Sequence, residues 1–367
     1  MHAVDTADWL RLTLIPGIGG ETQRKLLAAF GLPQNIFAAS RGTLRSVVGD
    51  KAADLLLGAD NGALVDAALA WAQLPGQRVL TLADPAYPQS LLDIPDPPTL
   101  LYVRGSCALL NRPALALVGS RNATAQGAGN ARAFAAALAA EGFTIVSGLA
   151  LGIDAAAHRG ALDVAGTTVA VIGTGADRLY PARNRELAEE IVAKGAIISE
   201  FPLGTPAAAA NFPRRNRLIS GLARGVLVVE AALESGSLIT ARLAGEQGRE
   251  VFAIPGSIHS PQARGCHQLI RQGAKLVETA RDVLEELGES GYRAALPATA
   301  SGSPDHPPAD EAATRLLELT GFDPVSFDEL AGRAGLTADA LSVILLRLEL
   351  DGRVSSLPGG RYQRLAE

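Results

Sequence analysis

The residues best suited to hold an anion follow a predicted strand at 115–118. The next three residues are Gly119, Ser120 and Arg121. Glycine lets the backbone approach a ligand closely, and the positive end of the following helix favours an anion. Arg121 adds a fixed charge that can grip a phosphate through two N–H groups. We therefore interpret this loop as a phosphate site; the alternative is a structural turn in which Arg121 pairs with a carboxylate.

Two further loops have a similar composition. The first follows a strand predicted at 143–146, and the second follows a strand predicted at 226–230 and opens a helix. Small residues at a helix start expose backbone N–H groups, and serine adds a hydroxyl. Both loops are therefore candidate anion sites, and an ordinary turn or helix cap is the alternative for each. Their candidate residues are Ser147, Gly148 and Gly152 in the first, and Ser235, Gly236 and Ser237 in the second.

One acid–histidine pair is a candidate for a catalytic role. Asp154 and His158 lie four positions apart, which puts them on one face of a helix, where we expect them to pair. A catalytic role is the alternative, but the sequence places no nucleophile beside them. We predict no catalytic residue.

The strongest basic cluster is the segment that contains Arg214, Arg215, Asn216 and Arg217. With Arg224, it places four arginines and no acid in residues 211–224. Helical spacing puts Arg214 and Arg217 on one face, with Arg224 on a similar one. Such a face can follow a phosphate backbone, whereas the alternative is a solvated helix surface.

Aromatic and acidic residues complete this candidate site. Phe212 and Tyr180 are candidates for stacking on bases, since single-strand binders combine a basic groove with aromatic platforms. Packing in the core is the alternative for both. Glu230, at a strand end, is expected to hold an arginine of the cluster.

Composition limits the class of protein. The chain has 367 residues and a net charge of −5, so a nucleic-acid site must be a local basic patch rather than a property of the overall charge. The sequence shows no membrane span, secretory signal, Walker motif, dinucleotide fingerprint or zinc-ligand pattern. Two distant cysteines fit a cytoplasmic protein with reduced thiols. We predict no cofactor and no metal.

The predicted elements divide the chain into three units and a linker. Residues 1–75 read as a helical unit, in which a hairpin containing Gly17, Gly19 and Gly20 precedes a helix at 21–30. This pattern can present N–H groups to a DNA phosphate, or it can be a plain turn between helices. Residues 288–309 have a linker composition, and residues 310–367 suggest a winged helix.

Residues 76–287 alternate strand and helix signals, which predicts an α/β fold with a parallel sheet covered on both faces. Ligands of such sheets bind at the carboxyl ends of the strands. The predicted strands lie at 79–82, 100–103, 115–118, 143–146, 168–172, 196–199, 226–230 and 251–254.

Many short motifs in this region match one family in order and spacing. They include Val-Gly-Ser-Arg at 118–121, Ser-Gly-Leu-Ala-Leu-Gly-Ile-Asp at 147–154, Tyr-Pro-x-x-Asn at 180–184, Ser-Glu-Phe-Pro at 199–202, Phe-Pro-x-Arg-Asn-Arg at 212–217 and Ser-Gly-Ser-Leu-x-Thr-Ala at 235–241. The chain thus resembles the DNA-processing protein A (DprA/Smf) family. The flanking units are similar to the sterile-alpha-motif-like (SAM-like) and winged-helix domains of that family.

The resemblance implies a function. Members bind single-stranded DNA during natural transformation, protect it, help displace single-strand-binding protein and load the RecA recombinase. Their Rossmann-like domain binds DNA in a basic pocket and forms a homodimer. The motif matches assign Arg121, Arg214, Arg215 and Arg217 to that pocket. His267 departs from the asparagine that many members carry, which places only a local contact in doubt.

Two other functions remain open. A nucleotide-hydrolysing Rossmann-like enzyme could use Glu230 with Arg121 as its glutamate–arginine pair, although the usual glycine-rich signature is missing. A protein-interaction scaffold would fit the acidic total charge. The winged-helix region also carries nine acids against six arginines over residues 311–367, which favours a protein-contact role over duplex reading.

Overall fold

The computed structural model describes residues 3–288 and 311–365 of the chain. The first unit of the described part is helical, and its α2 confirms the helix predicted at 21–30. Its leucines and isoleucines, including Leu12, Leu26 and Leu44, bury one another between the helices. The helices are α1 (Ala3–Thr13), α2 (Gly20–Phe30), α3 (Pro33–Ala38), α4 (Arg41–Leu57) and α5 (Gly62–Ala72).

The central unit contains a nine-stranded sheet within the described residues, in the order β1-β2-β6-β5-β4-β3-β7-β8-β9. All eight predicted strands are present, with ends that differ by two residues at most. The strands are β1 (Gln77–Thr81), β2 (Leu100–Gly105), β3 (Ala114–Val118), β4 (Thr144–Ser147), β5 (Thr168–Val171), β6 (Ala196–Ser199), β7 (Gly225–Val228), β8 (Glu250–Ala253) and β9 (Lys275–Leu276).

The seven strands β3 to β9 are parallel to one another, as expected, but the edge formed by β1 and β2 is antiparallel. β1 pairs antiparallel with β2, and β2 pairs antiparallel with β6. The predicted parallel sheet is therefore present, and an antiparallel edge extends it. The reason lies in the connection between β1 and β2, which carries only a short 3₁₀ turn rather than the crossover helix that a parallel pair needs.

Helices cover both faces of the sheet, because successive residues of each buried strand point to opposite sides. Ala116 and Val118 of β3 pack with one set of helices, whereas Leu115 and Leu117 pack with the other. The covering helices are α6 (Ala125–Ala140), α7 (Ile153–Asp163), α8 (Arg185–Lys194), α9 (Asn211–Leu222), α10 (Gly236–Glu246), α11 (Arg264–Arg271) and α12 (Ala280–Glu286).

The strand order reverses at β3, since β4, β5 and β6 lie on one side of it and β7 on the other. The loops after β3 and β7 therefore diverge and open a crevice at the carboxyl ends of the strands. These are the loops that contain Arg121 and Ser235.

The N-terminal helices pack on the antiparallel edge of the sheet. Trp9 and Trp71 share a buried cluster with Val79 of β1 and with Leu100 and Tyr102 of β2. The ring of Trp71 meets that of Tyr102 edge to face at a centroid distance of 5.6 Å. The helical unit and the sheet thus form one continuous packing surface.

The last described unit has the element order and sheet of a winged helix. Its elements are α13 (Glu311–Thr320), β10 (Val325–Ser326), α14 (Phe327–Ala334), α15 (Ala338–Leu350), β11 (Val354–Leu357) and β12 (Arg361–Arg364). Ser326 and Thr337 cap α14 and α15, since their side chains accept hydrogen bonds from Glu329 N and Ala340 N. The linker expected at 288–309 lies, apart from Gly288, outside the described residues.

Length and hydropathy show whether a helix in the described part of the chain could cross a membrane. No single helix there is both long enough and apolar enough to cross a bilayer. The bent pair of α4 and α5 passes on combined length and composition alone.

Candidate nucleic-acid interface

A cavity of about 740 Å³ opens at the carboxyl ends of β3 and β7, where the strand order reverses. Nine of the predicted site residues line it, drawn from three separate segments of the chain. We call it the strand-end cavity. These residues are Gly119, Ser120, Arg121, Phe212, Arg215, Asn216, Ser235, Gly236 and Ser237.

Arg121 is the exposed cation of this cavity. Its guanidinium carbon lies 5.1 Å from the ring centroid of Phe212. Within residues 3–288 and 311–365, no carboxylate lies within ion-pair distance of it, so the alternative in which Arg121 closes a turn with an acid is not supported. A guanidinium held over an aromatic face keeps its N–H edges free for a phosphate.

Two aromatic rings stand beside Arg121. Phe212 and Tyr180 have ring centroids 5.9 Å apart, with an angle of 37° between the planes. Phe212 is half-buried, whereas Tyr180 is 48% exposed. A smaller recess of about 60 Å³, lined by Tyr180, Phe212, Arg121 and Gly148, adjoins them. The exposed face of Tyr180 is thus available to a planar ligand.

Arg215 supports the cavity from inside the protein. It is only 4% exposed, and its Nη1 donates to the carbonyl oxygens of Gly148, at 2.6 Å, and Val171. Burial lowers the pKa of Arg215 to about 10, although the charge of Asp154 opposes that change. The side chain stays protonated at neutral pH and fixes the loop after β4.

Asp154 is the carboxylate that shares this environment. It accepts hydrogen bonds from the backbone N–H groups of Gly148 at 3.1 Å and Ala150 at 3.3 Å. Burial raises the pKa of Asp154, while the charge of Arg215 opposes that change. Together Arg215 and Asp154 hold the loop at 148–150 from both sides.

Arg214 and Arg217 lie away from the strand-end cavity. Both contact Glu200, at 3.4 Å from Arg214 Nη2 and 2.6 Å from Arg217 Nη2, and Arg217 also contacts Asp96 at 2.7 Å. Arg217 is buried, whereas the Arg214 side chain is 56% exposed. The shared face predicted for these two arginines is present, and carboxylates already occupy it.

Arg224 does not extend that face. It lies beyond the end of α9, and its Nη2 donates to the carbonyl oxygen of Leu287 at 3.1 Å. The expected alignment of Arg217 with Arg224 is therefore wrong, because α9 ends at Leu222, before the second turn after Arg217 is complete.

The three small residues predicted as an anion site after β4, namely Ser147, Gly148 and Gly152, each have a different environment. Ser147 is buried and its Oγ donates to the carbonyl oxygen of Leu117 at 2.6 Å, so it stands behind the cavity wall. Gly152 has a φ of +74° and packs against the backbone of Ser120 and Arg121, where a Cβ would overlap it. Gly148 lies against the Arg215 guanidinium, with no room for a Cβ.

The second serine loop opens into the strand-end cavity. Ser235 caps α10, and its Oγ accepts a hydrogen bond from Ser237 N at 3.3 Å. The N–H of Leu238 donates to the carbonyl oxygen of Ser235 at 3.1 Å, whereas the N–H of Gly236 has no partner inside the helix by geometry. The positive end of α10 therefore lines the same cavity as Arg121.

Two expected pairs are absent. Asp154 and His158 do not pair: Asp154 accepts from the backbone, and His158 Nδ1 lies 2.7 Å from Thr168 Oγ1. Glu230 does not hold an arginine, because its carboxylate accepts hydrogen bonds from the N and Oγ1 of Thr124, at 3.0 and 2.5 Å. Strand ends and helix starts meet here, so unpaired N–H groups compete successfully for both acids.

The positions of His158 and Glu230 decide whether either residue could serve in catalysis. Burial lowers the pKa of His158 to about 3, so this imidazole is neutral at physiological pH and lies in the core. Glu230 caps α6 through Thr124 instead of facing Arg121. In residues 3–288 and 311–365, no group of three or more histidine, cysteine or acidic side chains could hold a metal ion.

Sequence reasoning missed several residues of the cavity wall. Asn122 follows Arg121 directly, and its position in the same loop was a usable signal. Gln262 comes from a short 3₁₀ turn that only the folded chain brings near β7. Glu234 brings an acid to the wall, which directs a phosphate toward the Arg121 side.

Known proteins share this fold and sequence. A family model described as DNA recombination-mediator protein A matches residues 78–288, and a DprA winged helix domain model matches residues 298–360. Protein Smf of Escherichia coli is 40% identical over 99% of this chain and 96% of its own length.

Two solved structures are also similar. DprA from Streptococcus pneumoniae has a TM-score of 0.68 and 38% identity, and the match covers 78% of this chain and 98% of that one. DprA from Helicobacter pylori, a structure described by its single-stranded DNA binding mode, has a TM-score of 0.53 and 30% identity over 57% of this chain and 96% of that one. This chain belongs to the DNA recombination-mediator protein A family, known as DprA or Smf.

Proposed function

We propose that this protein binds single-stranded DNA in the strand-end cavity and acts as a recombination mediator without an enzymatic activity of its own. The observation that carries the proposal is the exposed Arg121 guanidinium beside the Phe212 and Tyr180 rings, in the same cavity as the N-terminus of α10. Cations and helix N-termini bind phosphates, while exposed aromatic faces stack on bases. A family relative described by its single-stranded DNA binding supports it.

Single strands fit this cavity better than duplex DNA does. Stacking on Tyr180 requires an unpaired base whose face is free, which a duplex does not offer. The cavity holds about 740 Å³, enough for a few nucleotide groups but not for a helix of paired bases. Phosphate contacts carry no base information, so we expect binding to tolerate any sequence.

The remaining family roles are part of the same proposal. We infer that the protein protects incoming single strands during natural transformation, helps displace single-strand-binding protein and loads the RecA recombinase. We also infer that it acts in the cytoplasm as a homodimer. Membership in the recombination-mediator family supports these roles.

The nucleotide-hydrolysing alternative has less support. It requires Glu230 to work with Arg121, but Glu230 is held by Thr124 at the start of α6. The buried His158 and Asp154 are committed to Thr168 and to the backbone. The three groups that the sequence offered for catalysis therefore already have other partners.

The DNA-binding proposal is tested by fluorescence anisotropy with a labelled oligo-dT and with a duplex of the same length. We expect tight binding of the single strand, weaker binding of the duplex, and a linear fall of log affinity with log salt. Equal binding of both forms would contradict the proposal. Release of free base from a nucleoside monophosphate would instead favour the enzyme.

The mediator role is tested by RecA assembly on single strands coated with single-strand-binding protein. Addition of this protein should shorten the lag before RecA begins to hydrolyse ATP. An unchanged lag, together with normal DNA binding, would show that the protein binds DNA but does not load RecA.

A further inference from the structure

A second cavity lies between the N-terminal helices and the sheet unit, and the DNA site described above does not include it. It has a volume of about 520 Å³, within the range of ligand pockets. The hairpin before α2 forms one wall, and α9 with the loop after β6 forms another. Arg214 and Arg217, both expected to contact DNA, lie here and not in the strand-end cavity. We call it the hairpin cavity.

The wall made by α2 offers backbone donors. The helix begins at Gly20, and its N-cap Gly19 has no side chain to accept a hydrogen bond from the first turn. Glu21 also lines the cavity, and its carboxylate pairs with Lys25 at 2.8 Å. The N–H groups of this turn are therefore left for a ligand or for water.

Arginines surround that helix start. Arg24 Nη1 donates to the carbonyl oxygen of Pro97 at 3.2 Å, which brings a cation to the positive end of its own helix. Two positive groups at one place repel each other; the Glu21 carboxylate in the same turn offsets part of this charge, and an incoming anion would offset more. From the opposite wall, Arg214 presents a guanidinium that is 56% exposed and only loosely paired, at 3.4 Å from Glu200.

The buried part of the wall has unused hydrogen-bonding atoms. Among the described residues, Arg217 Nη1 and Glu200 Oε1 have no hydrogen-bond partner. Their side chains are 9% and 3% exposed. A buried donor without a partner is costly, so an anion or an ordered water that reaches Arg217 Nη1 is favoured, whereas Glu200 Oε1 can accept only from a donor such as water. Arg217 already neutralises Glu200 at 2.6 Å, which leaves Arg214 able to turn toward an incoming anion.

The two cavities lie against different faces of the first turns of α9. Arg214 lines the hairpin cavity, whereas its neighbour Arg215 lines the strand-end cavity. A helix is about 10 Å wide, which limits the distance between the two faces. A single strand that leaves the strand-end cavity can pass the N-terminus of α9 within a few nucleotides.

We propose that the hairpin cavity binds a backbone phosphate of the same DNA strand, held by the N-terminus of α2, Arg24 and Arg214. This inference rests on the proposed function and extends it from one contact region to two. The N-terminal helical unit then adds affinity only for strands long enough to reach it.

The test is a length series of labelled oligo-dT probes, from about 4 to about 20 nucleotides, measured by anisotropy on the full chain. Arg24→Gln removes the charge but keeps an N–H donor for Pro97. We expect it to weaken the longest probes about tenfold, the size of one charge-assisted hydrogen bond. Their salt slope should also fall by about 0.7. The shortest probes should bind as in the wild type, and Arg214→Gln should reproduce the pattern.

Lys51→Gln is the matched control, because it removes an exposed charge from the same helical unit outside the cavity. It should change neither short nor long probes. If Arg24→Gln and Arg214→Gln bind all lengths like the wild type, or weaken all lengths equally, the hairpin cavity is not a DNA site. Failure of the wild type to bind any probe would overturn the proposed function itself.

Discussion

Adjacent arginines on α9 differ in burial and in contacts because their side chains point in different directions. Arg215 is buried and bonds to backbone carbonyls, whereas Arg214 is 56% exposed. A helix turns by about 100° per residue, so neighbours face different surroundings. Charge at a position therefore predicts DNA contact only when the side chain lies on a solvent-facing side.

Tyr180 tests the stacking part of the account. Tyr180→Ala removes the exposed ring beside Phe212 and should weaken oligo-dT binding by about 1–3 kcal/mol, the value of one base–aromatic stack. Tyr180→Phe keeps the ring and should bind like the wild type. Equal loss in both variants would mean that the hydroxyl, not the ring, contacts DNA. Anisotropy titrations at one salt concentration measure the difference.

His158 predicts a pH dependence of stability. Its pKa is about 3 in the folded protein, because of burial, against about 6.5 in an unfolded chain. Below pH 6.5 the unfolded state takes up a proton that the folded state refuses, so stability falls as pH falls. Between pH 7.5 and pH 5 this costs about 2 kcal/mol.

The variant His158→Gln isolates that contribution. Glutamine does not titrate, so the stability of the wild type relative to the variant should drop by about 2 kcal/mol from pH 7.5 to pH 5. Buried Asp154 and Glu200 also titrate, but they are present in both proteins and cancel in the comparison. Urea unfolding at the two pH values measures it, and a constant difference would show that the histidine is solvated.

At the scale of elements, the loop after β4 depends on the absence of a side chain. Gly148→Ala places a Cβ against the Arg215 guanidinium and should lower the free energy of unfolding by about 1–3 kcal/mol, as overpacking does. Gly129→Ala is the control: it lies exposed in α6 with open space around it, and it should stabilise the helix. Urea denaturation compares them; a neutral Gly148→Ala would show that Arg215 is not held there.

The strands were predictable because buried parallel strands are short apolar runs between turn residues. β9 was missed, since Lys275 and Leu276 form only a two-residue exposed strand. The antiparallel edge was missed because the 18 residues between β1 and β2 read as irregular from sequence and gave no strand direction. Neither feature has a periodic signal.

The candidate loops were predictable for a similar reason, since glycine and serine after a strand mark a helix start. The burial of individual residues in these loops was not predictable, as Ser147 shows by donating a hydrogen bond to the carbonyl oxygen of Leu117. The burial of Arg215 did have a signal that was not used. It lies three, four and seven positions before Leu218, Ile219 and Leu222, on the apolar stripe that packs on the sheet.

At the scale of the whole molecule, the proposed binding of a polyanion by an acidic chain requires positive groups that are concentrated locally. The net charge is −5, yet the strand-end cavity presents Arg121 and the α10 N-terminus together. The acidic winged helix has its own hydrophobic core around Leu330, Leu341 and Leu345. It can therefore fold apart from the sheet unit and serve another contact.

Removal of the winged helix tests this division. A chain that ends at Gly288 keeps both cavities, so its affinity for oligo-dT should equal that of the full protein within about twofold, under 0.5 kcal/mol. Anisotropy on both chains measures it, with circular dichroism as the check on folding. A large loss of single-strand affinity would show that the winged helix contacts DNA despite its charge.

The most direct test of the central claim compares two arginines at opposite ends of β3. Arg121 lies at the carboxyl end, in the strand-end cavity, and exposed Arg112 precedes the amino end. Oligo-dT anisotropy across a salt series should show weaker binding and a slope reduced by about 0.7 for Arg121→Ala, with Arg112→Ala unchanged. Equal behaviour of the two variants would contradict binding at the strand ends and would move the DNA to another surface.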